Sequence, residues 1–421
     1  MSKVIAVHAA WLGPQMHRLG TLYAHTAGNK ESFEFEYTPA ALADPRLCGV
    51  LLDPRLGQFG GRQHPGPQGL FGLFSDASPD RWGRMLMKRR LEREQRAGLA
   101  AANRKLHESD FLLGVHDQFR VGGLRFTLDG AVGFLDDRHD QAAPPFVQLR
   151  ELEAASQALE QDEQNTAPAG TDWLRMLIAP GGSLGGARPK ASVCDPQGHL
   201  WIAKFPSIRD EYNVGAWEQI VHTLARHCGI QVANSQARRF ASPHHTFLVR
   251  RFDRDDDGSR LHFASAMNLC NHVDGDDADS GVSYLELAEL LISQGAQTGP
   301  DLKELWTRIL FNVLVSNTDD HLRNHGFILV PGRGWRLSAA YDMNPVPHSH
   351  GLKLNISESD NALDIDLVLS VAPYFRLTAD EAYAIMERCV GVVRQWQKLA
   401  AALQIPVHEQ DWMASAFQQA E

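Results

Sequence analysis

The amino-acid sequence predicts an α+β fold, and three observations carry the prediction. Strand-like alternation dominates residues 3–40, glycine-turned hairpins recur at 191–205 and 327–337, and helical periodicity takes over toward the C-terminus. The β-rich start consists of Val4 to Trp11, Gly20 to His25 and Phe33 to Tyr37, separated by glycine and asparagine turns. Leu56 to Gln68, rich in Gly, Pro and Gln, reads as loop.

Ser78 and Pro79 predict a helix start, serine as cap and proline at the first helical position, where its missing N–H costs nothing. That helix carries Arg81, Arg84, Lys88, Arg89, Arg90, Arg93 and Arg96 alongside Trp82, Met85, Leu86 and Leu91. The array is either a solvated basic face or a docking surface for an acidic partner or nucleic acid. Phe111 to Gly114 reads as a helix end and Val121 to Phe126 as strand, after which residues 127–172 read as a connection, polar and acidic around Glu160 to Gly170.

The second half opens on Ala179 to Lys190, with four glycines around Ser183. Such a turn is either purely structural or a cradle of backbone N–H groups for a phosphate; it lacks the spacing of a P-loop. A hairpin follows, Ala191 to Cys194 and Leu200 to Phe205 around Asp195-Pro196-Gln197-Gly198. Lys204 sits between Ala203 and Phe205, an expensive place for an ammonium unless an anion is waiting. A helix from Asn213 to Cys228 packs Val214, Trp217, Ile220, Val221 and Leu224 and stops at Gly229; Glu218 lies at the edge of its apolar face, solvated or paired with Lys204. Thr246 to Phe252 is a strand whose end, Arg250 to Arg254, is the place of a nucleotide hinge in a kinase-like order. Asp274 to Asp279 reads as an acidic surface loop, without calcium-loop spacing.

Leu302, Leu305, Trp306, Ile309, Leu310, Val313 and Leu314 share one helical face, and the polar run Ser316 to His325 breaks that periodicity. Phe327 to Val330 and Trp335 to Leu337 form a hairpin around Pro331-Gly332-Arg333-Gly334 that delivers Asp342. Asn344 to Leu363 is irregular, and Thr378 with Glu381 is a capping box opening a helix to about Leu403.

At 421 residues the chain is long enough for two or three domains, and 43% apolar with 22% charged residues is ordinary for a globular protein. A net charge of -10 argues against wrapping nucleic acid over the whole surface. Five scattered cysteines without paired spacing argue for a reducing, cytoplasmic setting rather than a disulfide framework or zinc site. No apolar run is long enough to span a bilayer, so no membrane role is expected.

The chemistry lies in the polar run. Asp319 and Asn324 have the DxxxxN spacing of a phosphotransferase catalytic loop, in which the acid takes the acceptor proton and the amide holds magnesium; Asp342 supplies a second metal ligand. The alternative for such a loop is a turn that caps and solvates itself. His321 braces the loop by hydrogen bonds or contacts the nucleotide. What separates the readings is order: glycine-rich turn, strand lysine, helix glutamate, hinge-like strand, helices, DxxxxN, hairpin, Asp. That series points to ATP-dependent phosphotransfer.

With these residues in place, the chain resembles the HipA family of serine/threonine kinase toxins over nearly its whole length. Ser78-Pro79-Asp80-Arg81-Trp82-Gly83-Arg84 and Val121-Gly122-Gly123-Leu124-Arg125-Phe126 match its N-terminal part. Ser183 to Lys190 looks like its glycine loop, Ile202 to Pro206 like its ATP-lysine strand, and Arg251-Phe252-Asp253-Arg254 like its hinge signature. Thr318 to Asn324 resembles TDxHxxN, which makes Asp319 rather than Asp320 the base, and Tyr341-Asp342 resembles the metal-binding aspartate. The resemblance implies a bilobal protein-kinase-like fold related to the phosphatidylinositol kinases, with an N-terminal β-rich subdomain (1–126), a connection (127–172), a kinase N-lobe-like region (173–260) and a helical C-lobe (261–421). It implies ATP and Mg2+ as cofactors, autophosphorylation of Ser183, and Lys204, Glu218, Arg250, Phe252, His321, Gly185 and Gly186 as ATP contacts. It also implies a protein target, an aminoacyl-tRNA synthetase in characterised members, whose phosphorylation arrests growth. A small DNA-binding antitoxin of HipB type is the implied partner, carrying most of the nucleic-acid contact. Rival readings are a small-molecule kinase of the aminoglycoside or choline type, and a nucleotide-binding corepressor without essential catalysis.

Overall fold

The computed structural model describes residues 2–15, 17–128, 131, 133–135, 144–162, 177, 186 and 188–421. By its internal contacts the chain divides into two units: residues 1–209 with 239–264, and residues 210–238 with 265–421.

The first unit begins with β1 (Ser2–Ala9), β2 (Arg18–Ala27) and β3 (Lys30–Tyr37), joined by β4 (Leu124–Leu128) in an antiparallel sheet of order β3-β2-β1-β4. In β3 aromatic and acidic residues alternate, so Phe33, Phe35 and Tyr37 turn inward while Glu34 and Glu36 stay toward water. Opposite them β2 needs Gly20, because a Cβ there would lie 2.3 Å from the Phe35 ring and the Glu36 carbonyl. Phe35, Phe74 and Phe126 continue the aromatic core, with centroids 5.4 and 6.2 Å apart in sequence.

The basic helix, α1 (Arg81–Arg96), starts later than Ser78-Pro79 suggested. Asp80 is its cap, accepting from Gly83 N at 2.8 Å, whereas the Ser78 hydroxyl donates to Phe74 O. A carboxylate caps at least as well as a hydroxyl and adds a favourable charge at the helix N-terminus. The basic array is divided: Arg81, Lys88, Arg90 and Arg96 are exposed, whereas Arg84 pairs with Glu108, buried Arg93 with Asp162, and Arg89 donates to Leu159 O. A second helix, α2 (Leu149–Gln161), lies within the span read as a connection. Its stripe Leu149, Leu152, Ala155 and Leu159 packs with Trp82 and Leu86 against the second sheet, through Ala191, Val193, Ala203 and Leu248. In that sheet β5 (Lys190–Cys194), β6 (Leu200–Lys204) and β7 (Thr246–Arg250) run antiparallel in the order β5-β6-β7, as the hairpin signals indicate.

Two charged clusters fasten this unit. Lys190 Nζ meets Asp80 Oδ2 at 2.9 Å with both side chains buried, and Trp82 Nε1 donates to Lys190 O. At the other end of the sheet, Arg251 donates to Phe119 O, Arg120 O and both oxygens of Asp253, and Asp253 also accepts from Gly122 N. The Arg-Phe-Asp-Arg stretch is therefore a buried clamp onto the 119–122 segment.

The second unit holds α3 (Val214–His227), capped by Asn213 and stopped at Gly229 with φ +87°, as the periodicity predicts. It continues with α4 (Tyr284–Gln294), α5 (Thr298–Leu314) and the hairpin of β8 (Gly326–Val330) with β9 (Gly334–Leu337), pairing Phe327 with Leu337 and Leu329 with Trp335. The Thr378–Glu381 capping box forms, but the helix it opens, α6 (Ala379–Val393), ends ten residues before Leu403 and a separate α7 (Trp396–Ala402) follows. Arg394, at the break, donates to Ala420 O and Glu421 O, which ties the C-terminus there. Trp396 stacks on Phe417 at 4.7 Å and meets Trp217 of α3 at 5.9 Å. Among the described residues no helix is long and apolar enough to cross a membrane.

Candidate active site

The predicted catalytic loop begins where α5 ends. All seven residues of the predicted stripe, from Leu302 to Leu314, are fully buried, so the helix end is fixed by packing. Ser316 then takes φ +48° and turns the chain; Asn317 N still reaches Asn312 O at 2.8 Å. Beyond it Asp319 stands exposed, Asp320 is buried, and a short 3-10 turn, Leu322–Asn324, brings Asn324 back into the interior.

Asn324 Nδ2 donates to the carbonyl oxygen of Asp319 at 3.0 Å, which closes the loop on itself and fixes the amide orientation. Its Oδ1 is thereby left buried without a hydrogen-bond partner. An amide oxygen in that state carries a cost unless a donor or a cation meets it, and a hard cation such as magnesium takes oxygen ligands. Asp342 occupies the left-handed region at φ +57°, a conformation Asp tolerates better than most residues and one found at sites where geometry is imposed by surroundings. Its neighbours impose it: Ala340 N donates to Gln231 O, Tyr341 Oη to Arg323 O at 2.7 Å, Asn344 N to Asn317 Oδ1 at 2.9 Å and Val346 N to Ser316 O. The segment carrying Asp342 is thus sewn to both ends of the loop carrying Asp319 and Asn324.

Among the described residues no three His, Cys, Asp or Glu side chains cluster as a metal cage. Magnesium does not need one, since it is held by one or two protein groups with phosphates and water completing the shell. The donors present, one orphaned amide oxygen and one carboxylate, fit that requirement.

The remaining predicted residues fall as follows. His321 is half-buried, its N–H bonded to Asp319 O and its Nδ1 buried without a partner. Lys204 lies half-buried on β6 of the first unit, 5.8 Å above the Phe247 ring. Glu218 belongs to the second unit and is buried on α3, not solvated at the edge of its apolar face. Arg250 pairs with Asp256, and Phe252 packs near Phe263 at 6.0 Å. Gly186 has φ +82° and its carbonyl accepts from Lys190 Nζ at 3.1 Å. Ser183 and Gly185 lie outside the described residues.

Sequence reasoning missed the support beneath the loop. Asp320 Oδ2 accepts from Tyr284 Oη, Asn312 Nδ2 and His325 Nε2 at 2.5, 2.6 and 2.7 Å, and Asn317 Nδ2 donates to Asn312 Oδ1 at 3.0 Å. The signal was present as Asn312, a polar residue inside the apolar run that ends α5.

The model of the HipA-like C-terminal domain family matches residues 182–397, which is slightly more than half of the chain. A Haemophilus influenzae protein named "Putative kinase" is 26% identical over 187 residues, 40% of this chain and 54% of that protein. "Putative kinase Y4mE" of Sinorhizobium fredii is 28% identical over 251 residues, 53% of this chain and 56% of that protein. The chain therefore spans about half the length of these curated relatives. In fold it is similar to HipA of Shewanella oneidensis MR-1, solved in complex with HipB and operator DNA, at a TM-score of 0.68 and 18% identity over 99% of this chain and 95% of that one. The likeness in fold runs the length of the chain and the family match takes in the whole Asp319–Asp342 loop, so this chain belongs to the HipA family.

Proposed function

We propose that this chain is an ATP- and magnesium-dependent protein kinase acting on serine or threonine. The observation that carries the reading is the buried, unpartnered Oδ1 of Asn324, held in place by its own Nδ2 on the Asp319 carbonyl. A self-capping loop has no use for such an atom, whereas a metal site does.

In this reading Asp319 accepts the proton of the acceptor hydroxyl while that oxygen bonds to the γ-phosphorus and the bond to the bridging oxygen breaks, releasing ADP. Asn324 and Asp342 hold magnesium, which when bound neutralises charge spreading over the transferring oxygens. Lys204, with Gly185 and Gly186, binds the ATP phosphates; Glu218 is a further proposed nucleotide contact; Arg250 and Phe252 border the adenine, and His321 braces the loop or meets the nucleotide. Ser183 is the proposed autophosphorylation site, where a phosphate adds roughly -1.5 to -2 charges and repels ATP. The proposed target is an aminoacyl-tRNA synthetase, with growth arrest as the outcome. HipA of Shewanella oneidensis was solved with HipB and operator DNA, and by that likeness a small DNA-binding antitoxin of HipB type is the proposed partner, in the cytoplasm.

The test is labelled ATP added to a cell lysate, wild type against Asp319→Asn. Wild type is expected to label protein, and loss of the base to slow labelling by about 100- to 10,000-fold. Equal labelling by the variant, or label confined to a metabolite, overturns the reading.

A further inference from the structure

The buried carboxylate of Asp320 lies beside the proposed base and none of the roles above uses it. Three donors converge on one of its oxygens: Tyr284 Oη from the start of α4, Asn312 Nδ2 from the last turns of α5, and His325 Nε2 from the loop's far end. At 2.5 to 2.7 Å all three bonds are short. The chain of bonds does not stop there. Asn312 Oδ1 accepts from Asn317, and Asn317 Oδ1 accepts from the backbone N–H of Asn344, two residues beyond Asp342. One continuous path thus runs from α4 through Asp320 and α5 to the segment that presents the metal carboxylate.

The Tyr284 hydroxyl sits fully buried, and burial together with the neighbouring Asp320 charge pushes its pKa well above the ordinary value, so it remains a donor. His325 is anchored twice, its ring on Asp320 and its carbonyl accepting from Ala266 N at 2.8 Å. Adjacent residues in a turn project to different sides. With Asp320 held inward by three bonds, Asp319 is left projecting to solvent, where a substrate hydroxyl can reach it.

We propose that Asp320 is a positioning residue for phosphoryl transfer, setting the direction of Asp319 and, through Asn312 and Asn317, the register of the Asp342 segment. This rests on the kinase reading above. Because its bonds act on the base and on a metal ligand, losing them lowers kcat and leaves KM for ATP nearly unchanged.

The experiment compares Asp320→Ala, Asp320→Asn, Tyr284→Phe, Asn317→Ala and the Tyr284→Phe/Asn317→Ala pair. Asp320→Ala is expected to lower kcat by on the order of 100-fold, the effect of misplacing a catalytic group by about an ångström. Asp320→Asn, which keeps an accepting oxygen, restores part of that rate. Tyr284→Phe lowers kcat about tenfold, with KM for ATP held within about threefold in each variant. The paired variant loses less than the product of its single losses, because both substitutions cut one path. Should Asp320→Ala fail to fold, Tyr284→Phe and the pair decide the matter. Wild-type kcat in folded Tyr284→Phe, additive losses in the pair, or a fall carried by KM overturns the proposal. A wild type that transfers no phosphate sinks the kinase reading instead, and amide exchange of residues 316–324 then judges the positioning role: faster exchange in Tyr284→Phe supports it, unchanged exchange overturns it.

Discussion

Asn324 donates its amide N–H to the backbone carbonyl of Asp319 at 3.0 Å, so the residue proposed to hold the metal and the residue proposed to take the proton move as one piece. The two halves of the Asn324 amide have separate jobs, and substitutions separate them. Asn324→Asp keeps an oxygen toward the cation and loses the N–H; Asn324→Ala loses both. Asn324→Ala is expected to lower phosphoryl transfer by about 100-fold, in line with removing one electrostatic contact to developing charge. Asn324→Asp should retain tighter manganese binding than Asn324→Ala in a titration followed by electron paramagnetic resonance. Equal manganese affinity in wild type and Asn324→Ala would show that Oδ1 faces no cation.

Asp253 is completely buried between guanidinium groups. Burial pushes its carboxyl upward in pKa, but the charges of Arg251 and Arg254 outweigh that and hold it well below the usual carboxylate range. A folded-state pKa below the unfolded one contributes stability that is present above the unfolded value and is lost as pH falls through the folded one. The clamp on residues 119–122 is therefore expected to survive mild acid. Asp253→Ala, which strands buried arginines, should cost about 3–5 kcal/mol. Urea unfolding at pH 7 checks this, and the difference between wild type and variant should persist down to about pH 4 and shrink only below it. A difference that vanishes at pH 5 contradicts the depressed pKa.

How much of this was legible in the sequence depended on whether a pattern was local. The stripe of α5, the β8–β9 hairpin and the capping box at Thr378 were readable because periodicity, glycine turns and cap spacing are written within a few residues of each other. The start of α1 was misplaced because Ser-Pro is a good start signal and Asp80 a better one, two residues on. The stripe of α2 is readable in the sequence too, but the polar and acidic stretch Glu160 to Gly170 after it made the whole span read as a connection, and α2 itself carries Glu153. Glu153 is in fact fully buried, accepting from Ala241 N, Ser242 N and Thr246 Oγ1. Those donors lie far along the chain, and no local pattern announces them. The same holds at the site: the spacing of Asp319 and Asn324 and the place of Asp342 after a hairpin are written in the sequence, while Tyr284 and Asn312, which hold Asp320, belong to other elements.

The Asp80–Lys190 pair tests whether a helix cap and an ion pair can share one carboxylate. Asp80 Oδ1 caps α1 and Oδ2 takes Lys190, whose ammonium also bonds the Gly186 carbonyl. Lys190→Met takes the ammonium away from the buried Asp80 carboxylate and is expected to cost about 3–5 kcal/mol. Asp80→Ala should cost about 1 kcal/mol more than Asp80→Asn, because only the amide preserves the capping oxygen. Pairing Asp80→Asn with Lys190→Met removes both charges and should recover much of the loss. Chemical denaturation of the wild type and the four variants reads all of this, and a double variant no more stable than Lys190→Met alone would mean that the pair does not couple.

His272 fastens the acidic loop. Its Nδ1 meets Asp276 Oδ2 at 3.0 Å and its Nε2 meets Glu286 Oε2 at 2.7 Å, while Asp274 of the same loop reaches Arg323, in the loop that carries Asp319 and Asn324, at 3.4 Å. Partial burial lowers the imidazole pKa, but the two carboxylates outweigh it and the net shift is upward from 6.5. A raised folded-state pKa contributes stability that is fully present below the unfolded value and is lost as pH rises through the folded one. The attachment of residues 273–279 should therefore loosen on the alkaline side of about 6.5, the ordinary imidazole value. Proton NMR of the His272 ring is expected to show a midpoint above that value. Amide exchange at Val273, whose N–H donates to Asp276 Oδ2, should quicken over the same interval beyond its intrinsic pH dependence. In His272→Gln, which cannot gain the charge, that added dependence should disappear. A ring midpoint at or below 6.5 would mean that the carboxylates do not hold the imidazolium and that the loop is fastened by other contacts.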